Sequence, residues 1–403
     1  MTPPDVGPFS AADSIIGYLY QVRVALLWAL RRLPAGADFL VSVETLDDVA
    51  FETLGGTPQE LLQTKHHRSR EATLTDASPD LWKSLRIWLE AYRAGQVVTG
   101  TVLYLLTTAR APGGSAASYL RTEGRDVDTA LLMLEATAQS SDSQTNARAY
   151  AVFLKTPAAT LRSIANNIVV LDSSPPISDL DQDLRAVVFS AAERKHLESF
   201  LERLDGWWLR RVLRQLTTPG DRILADEFES KMSDLREQFK QEALPIDDDL
   251  LNFSLDNATQ AAHADSIFVR QIELIRAGRV RIAAAVRDYY RAFEQRSRWI
   301  REDLLLVGEL DKYERRLVEE WELVFAAMND ELGDDATDEA KEFAAREVLR
   351  WVEQVAIPIR PRVSEPFVSR GSLHMLADDL RVGWHPEFRA RLAALLSVRG
   401  GVA

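Results

Sequence analysis

A chain of 403 residues, 46% hydrophobic and 27% charged, has the apolar content for about two or three folded domains and too balanced a composition for extended disorder. It contains no cysteine, which excludes disulfides, thiolate metal ligands and a cysteine nucleophile. The formal charge of −13 weighs against unaided nucleic-acid binding, but only mildly. Up to Thr218 there are 22 basic and 25 acidic residues, against 26 and 36 beyond it, so most of the acidity lies in the second half.

No basic segment precedes an apolar run at the N-terminus, and no window approaches the ~18 apolar residues of a membrane span, so the expectation is a cytoplasmic protein with no membrane contact. The first helix is expected over residues 15–33, capped by Asp13 or Ser14 and ended by Pro34-Ala-Gly, with Ile15, Leu19, Val22, Leu26 and Ala29 near helical spacing. Strands are expected at 39–52 and 60–67. Ser78-Pro79-Asp80 then opens an amphipathic helix with Trp82, Leu85 and Leu89 on one face. Thr101–Thr107 reads as a buried strand.

Residues 116–165 carry helical patterns, Asn167–Leu171 a short strand, and 178–190 and 191–216 further helices. Thr217-Thr-Pro-Gly220 is the best linker, dividing the chain into domains at 1–218 and 219–403. Beyond it the expectation is a helix at 221–240, an acidic loop at 244–249, a long helical run over 258–330, and a compact irregular tail containing Arg370–Ala377 and Val382–Phe388.

The chemistry concentrates in Leu40-Val-Ser-Val-Glu44, Thr-Leu-Asp47-Asp48 and Leu61-Leu62-Gln63-Thr64-Lys65-His66-His67. Side chains alternate faces along a strand, so Gln63 and Lys65 project together, opposite Leu62 and Thr64. Phosphodiester hydrolysis calls for one or two hard cations held by oxygen ligands. Asp48 suits the first ligand, with Glu44 or Asp47 adding negative charge and the Gln63 amide and Thr64 carbonyl adding oxygens. Lys65 would stabilise the charge that develops on phosphate. Taken alone, the spacing also fits a surface Glu44–Lys65 ion pair, a turn at Asp47-Asp48 and an ordinary polar strand residue at Gln63.

Gly17-Tyr18-Leu-Tyr20-Gln21, Glu44-Thr-Leu-Asp47-Asp48-Val49, Leu62-Gln63-Thr-Lys65-His66-His67 and Asp80-Leu-Trp82-Lys83-Ser-Leu85-Arg-Ile87-Trp88 together resemble the double-strand DNA endonuclease domain of cyclic-oligonucleotide-activated antiviral effectors. That family is a branch of the PD-(D/E)xK restriction-endonuclease-like fold, and the resemblance covers roughly residues 10–215. It implies an α/β N-terminal domain in which Asp48, Gln63 and Lys65 match the D…(E/Q)xK triad, Glu44 is an accessory acid, and Asp48, Gln63, Thr64 and Asp47 surround Mg²⁺ or Mn²⁺. Gln21, His66 and His67 are candidates for phosphate or DNA contact. Trp82 and Trp88 read as core, and zinc at His66-His67 is disfavoured by the absence of cysteine.

Leu244-Pro-Ile-Asp, Asp288-Tyr-Tyr-Arg-Ala-Phe-Glu-Gln-Arg-Ser-Arg-Trp-Ile-Arg-Glu-Asp-Leu, Tyr313-Glu-x-x-Leu317, Glu320-Trp321 and Gly383-Trp384-His385-Pro386 resemble the C-terminal domain of effectors of bacterial ABC-three-component systems. This implies a mainly α-helical C-terminal domain whose partners are an ABC-type ATPase and a small middle component, with self-association into a homo-oligomer left open. Arginines alternate with acids over 279–303, which fits a salt-bridged bundle or a protein interface better than a DNA-binding helix. No GxxxxGK[ST] loop occurs, so any ATP chemistry belongs to a partner. The resulting expectation is a metal-dependent endonuclease acting on double-stranded DNA as a defence effector; the alternative is a non-catalytic DNA-sensing or scaffold subunit.

Overall fold

The computed structural model describes residues 11–36, 38–67, 72–333 and 335–393. They form two compact units, the first ending at Leu235 and the second beginning at Arg236.

The first unit is a mixed α/β structure. Helix α1 spans Ala11–Arg32, so Asp13 and Ser14 lie inside it rather than capping it. The preceding Ala11-Ala12 are strong helix formers and carry the helix past both residues. A 3₁₀ turn at Leu33–Ala35 ends it, and Gly36, at φ +62°, donates its N–H to the Leu33 carbonyl, a left-handed position that glycine adopts without strain.

Six strands follow: β1 (Leu40–Val43), β2 (Val49–Glu52), β3 (Pro58–Lys65), β4 (Val102–Thr107), β5 (Ile168–Leu171) and β6 (Ile223–Leu224). Their order in the sheet is β5-β4-β3-β2-β1-β6. The stretch expected as one strand at 39–52 is an antiparallel hairpin, with Val43 opposite Val49. Glu44, at φ +54°, reverses the chain and its N–H donates to the Asp48 carbonyl. Mostly apolar, buried residues flank the reversal on both sides, which hides it from a periodicity reading.

Strands β3, β4 and β5 are parallel neighbours, and parallel pairing requires crossovers. Helix α2 (Pro79–Arg93) makes the first, entered from an extended Ser78 with Pro79 in its first turn. The second carries α3 (Ala116–Tyr119), α4 (Val127–Ser140), α5 (Ala147–Leu154) and α6 (Ala158–Ala165). On this side of the sheet Ala50, Leu61, Leu103, Leu105, Ile168 and Val170 join Trp82, Trp88, Tyr150 and Phe153 in one core. The Trp82 ring meets Tyr150 edge-on at 4.5 Å. Each large apolar side chain buried here contributes roughly 1.5–3 kcal/mol.

Helix α1 packs against β1 and β3. Trp28 meets Tyr104 edge-on at 4.7 Å, and the Arg32 guanidinium lies 4.3 Å from the Phe51 ring centre. Helices α7 (Leu180–Val188) and α8 (Leu197–Thr217) pack beside α1, where Trp208 donates its indole N–H to the Val22 carbonyl at 2.8 Å.

The segment after α8 belongs to this unit rather than opening the next. Strand β6 pairs with β1, and the buried Arg211 binds both Asp221 and Glu227, the latter on α9 (Ala225–Gln238). The unit boundary therefore falls at 235/236, beyond the Thr217–Gly220 linker expected from sequence.

The second unit is helical: α10 (Asp248–Leu251), α11 (Asn257–Ala262), α12 (Ile267–Leu274), α13 (Arg279–Arg301), α14 (Glu309–Leu332), α15 (Asp338–Gln354) and α16 (Pro366–Asp378). The arginines of α13 stitch the bundle together. Arg281 pairs with Glu353, the buried Arg296 with Glu314, and Arg298 with Asp249. The tail expected as irregular contains α16 instead. Gly371 lets α16 approach α13 so closely that a Cβ at this position would lie 2.0 Å from the Asp288 carbonyl oxygen. Glycine, a weak helix former by propensity, is here required by packing. Among the described residues, no helix is long and apolar enough to cross a membrane.

Candidate active site

A cleft of about 550 Å³ opens at the C-terminal end of β3. The first half of α1 forms one wall with Gly17, Tyr18 and Gln21, and α2 contributes Lys83 and Ile87. The loop Glu44–Asp48 and the strand end Gln63–Lys65 complete it. Residues far apart in sequence meet because antiparallel pairing folds the β1–β2 loop back beside the end of β3.

Asp48 is anchored through one oxygen. Its Oδ2 accepts from the Thr64 backbone N–H at 2.7 Å and from Thr64 Oγ1 at 3.1 Å, with Lys65 Nζ at 3.9 Å. Its Oδ1 has only a 3.4 Å contact with Gln63 Nε2. Gln63, 3% exposed, accepts from Lys65 Nζ through Oε1 at 2.8 Å, as the shared strand face predicts.

Asp47 has a different position from its neighbour. It is buried, its Oδ1 accepts from the Asp48 N–H and from Gln63 Nε2, and its Oδ2 accepts from Trp88 Nε1 at 2.8 Å. Burial pushes its carboxyl up to about 7, against the opposing effect of the Gln63 and Trp88 hydrogen bonds. Both Asp47 oxygens are engaged in this arrangement, so Asp47 supports Gln63 from beneath the cleft.

Glu44 sits at the hairpin tip in the left-handed region, an uncommon backbone state for a non-glycine residue. Desolvation, then the charge of Asp48, raise its carboxyl above the usual range, while a hydrogen bond with Gln21 and the charges of Lys65 and Lys83 oppose the rise. Gln21 lines the cleft and its Oε1 is buried with no protein partner among the described residues. The loop is fixed at its base by the buried Gln215 of α8, whose Oε1 accepts from the Val43 N–H at 3.0 Å and whose Nε2 donates to Thr45 Oγ1 at 3.2 Å.

The histidines stand apart from the cleft lining. His66 packs against Tyr20, ring centres 4.9 Å apart, and its Nε2 accepts from the Ile177 N–H at 3.4 Å. His67 Nε2 lies 2.7 Å from Asp80 Oδ2, and that hydrogen bond raises its imidazole above the ordinary value. Both have protein partners, and neither lines the cleft.

Sequence reasoning places Lys83 and Trp88 in a motif without giving either a role at the site, and it misses Gln215 altogether. Trp88 offers one signal, since a buried indole N–H needs an acceptor and so implies a polar atom inside the core. Gln215 offers none, because its partners are 170 or more positions away in the chain.

The donor set suits a hard divalent cation. Two carboxylates, Glu44 and Asp48, are close enough for Asp48 to raise the Glu44 carboxyl, and a cation would relieve that repulsion. The unpartnered Gln21 Oε1 and the second lone pair of Gln63 Oε1 are further oxygen donors. Among the described residues no cluster of three or more His, Asp or Glu could hold a metal, so amide and main-chain oxygens would have to complete the shell.

Residues 268–392 match the family of C-terminal domain 7 of the ABC-three component (ABC-3C) systems. The match covers most of the helical unit. No curated protein is similar enough to the chain to register as a match.

Proposed function

We propose that the first unit is a metal-dependent endonuclease of the PD-(D/E)xK type that hydrolyses double-stranded DNA, and that the helical unit attaches it to an ABC-three component assembly as a defence effector. The observation that carries the reading is the convergence of Asp48, Gln63 and Lys65, with Glu44, on one cleft at the end of β3. These residue types are the ones phosphodiester hydrolysis requires.

In this reading Asp48 and Glu44, with the Gln63 amide oxygen and the Thr64 carbonyl, hold Mg²⁺ or Mn²⁺. The cation, when bound, supplies charge that polarises the scissile phosphate and neutralises the leaving oxygen. Lys65, held by Gln63, places its ammonium where negative charge develops. Gln21 Oε1 is available to orient a water in the cleft. Asp47 and Trp88 hold the Gln63 amide in one rotamer, so that its oxygen stays toward Lys65. The partners expected through the helical unit are an ABC-type ATPase and a small middle component, and the isolated chain would be held inactive, because an unregulated nuclease would damage its own genome.

The test is cleavage of supercoiled plasmid in Mg²⁺ or Mn²⁺ by wild type, Lys65→Ala and Asp48→Ala, each alone and with the ATPase component. Cleavage by wild type and its loss in both variants is the expected result. Absence of cutting in every condition, with DNA binding intact, would replace the enzyme by the DNA-sensing or scaffold reading. Competition with RNA decides the substrate class.

A further inference from the structure

We infer that Lys83 is a second phosphate-binding cation of the cleft, holding a backbone phosphate next to the one addressed by Lys65, so that the preferred ligand is a polyanionic strand rather than a single phosphate group. The inference rests on the nuclease reading and specifies how its substrate is gripped.

Lys83 is exposed and lines the cleft from α2. Among the lining residues the cations are Lys65 and Lys83, set against the acids Glu44, Asp47 and Asp48. Lys65 is committed to Gln63 at 2.8 Å. The two acids on which the Lys83 charge acts have other partners: Asp80 binds His67 at 2.7 Å, and Glu44 bonds with Gln21. Lys83 acts on both through space, by charge alone. An exposed ammonium on a flexible stem at the rim of the cleft can reach a phosphate oxygen while its charge is still hydrated, and it gives the cleft a second positive point along the path of a strand. Helix α2 is well placed to hold it rigidly, because Trp82, Leu85, Trp88 and Leu89 bury its opposite face.

The experiment is binding of a short fluorescein-labelled DNA duplex to the full chain, by anisotropy in Ca²⁺ over a salt series, for wild type, Lys83→Ala and Lys83→Arg. Loss of one phosphate contact weakens binding roughly tenfold, equally for duplexes of different sequence, and lowers the slope of log K against log salt by about 1. Lys83→Arg restores most of the affinity, and thermal melting of all three proteins coincides. Wild-type affinity and salt slope in Lys83→Ala would overturn the inference while leaving the nuclease reading in place. Failure of wild type to bind any duplex would instead remove the nuclease reading, and this inference with it.

Discussion

The indole N–H of Trp88 donates to Asp47 Oδ2 at 2.8 Å, so a core residue of α2 supports the acid that holds the Gln63 amide. The cleft is therefore tied to the packing beneath it, and a change in the core is read out at the site.

Trp88→Phe keeps an aromatic ring in the core but removes the N–H. It leaves a buried carboxylate oxygen without its donor, which costs about 1–3 kcal/mol. Differential scanning calorimetry should show the lower melting temperature, and plasmid cleavage should fall because Gln63 loses its fixed rotamer. Wild-type stability together with wild-type cleavage would show that this hydrogen bond supports nothing.

Glu44 carries a carboxylate at a backbone position, φ +54°, that glycine occupies without strain. Glu44→Gly is expected to stabilise the protein by roughly 0.5–1 kcal/mol, by relieving strain and charge repulsion with Asp48. Under the proposed function, cleavage should fall on the order of tenfold, as an acid proposed to help hold the cation is lost. Urea unfolding and cleavage measured on the same preparation check both signs. A variant that is both less stable and fully active contradicts the assignment.

Gly371→Ala places a methyl group 2.0 Å from the Asp288 carbonyl oxygen and 2.5 Å from Ala292 Cβ. Backbone cannot swing aside as a flexible side chain does, so α13 and α16 must separate, at a cost of at least about 1–3 kcal/mol. The denaturation midpoint of the second unit should drop with an unchanged m-value, and an unchanged midpoint would mean that the two helices part freely.

His374 is fully buried between Phe268 and Trp384, and desolvation pushes its imidazole down to about 3 from an ordinary 6.5. Between those values the unfolded chain holds a proton on this group and the folded chain does not. Stability therefore falls as pH drops below about 6.5, by ~1.4 kcal/mol per pH unit from this residue. In His374→Phe that contribution disappears, and unfolding free energies at pH 7 and 5 should differ less than in wild type. Equal pH dependence in the two proteins would show that His374 titrates normally.

Local patterns were sufficient for much of this molecule. The two-residue period of β3 puts Gln63 and Lys65 on one face, the Gly-Gly turn separates β2 from β3, and Ser78-Pro79 marks the start of α2, all consequences of backbone geometry within a few residues. The residue types at Glu44, Asp48, Gln63 and Lys65 likewise declare which chemistry they suit. What local pattern cannot carry is a choice between partners distant in the chain. The reversal at Glu44, the separate positions of Asp47 and Asp48, the anchoring of the loop by Gln215 and the close approach allowed by Gly371 depend on contacts across the fold. Asp47 and Asp48 are adjacent carboxylates with the same intrinsic chemistry. Only burial against Trp88 directs one of them into the core and leaves the other on the cleft, because burial and hydrogen bonding are properties of the packed chain.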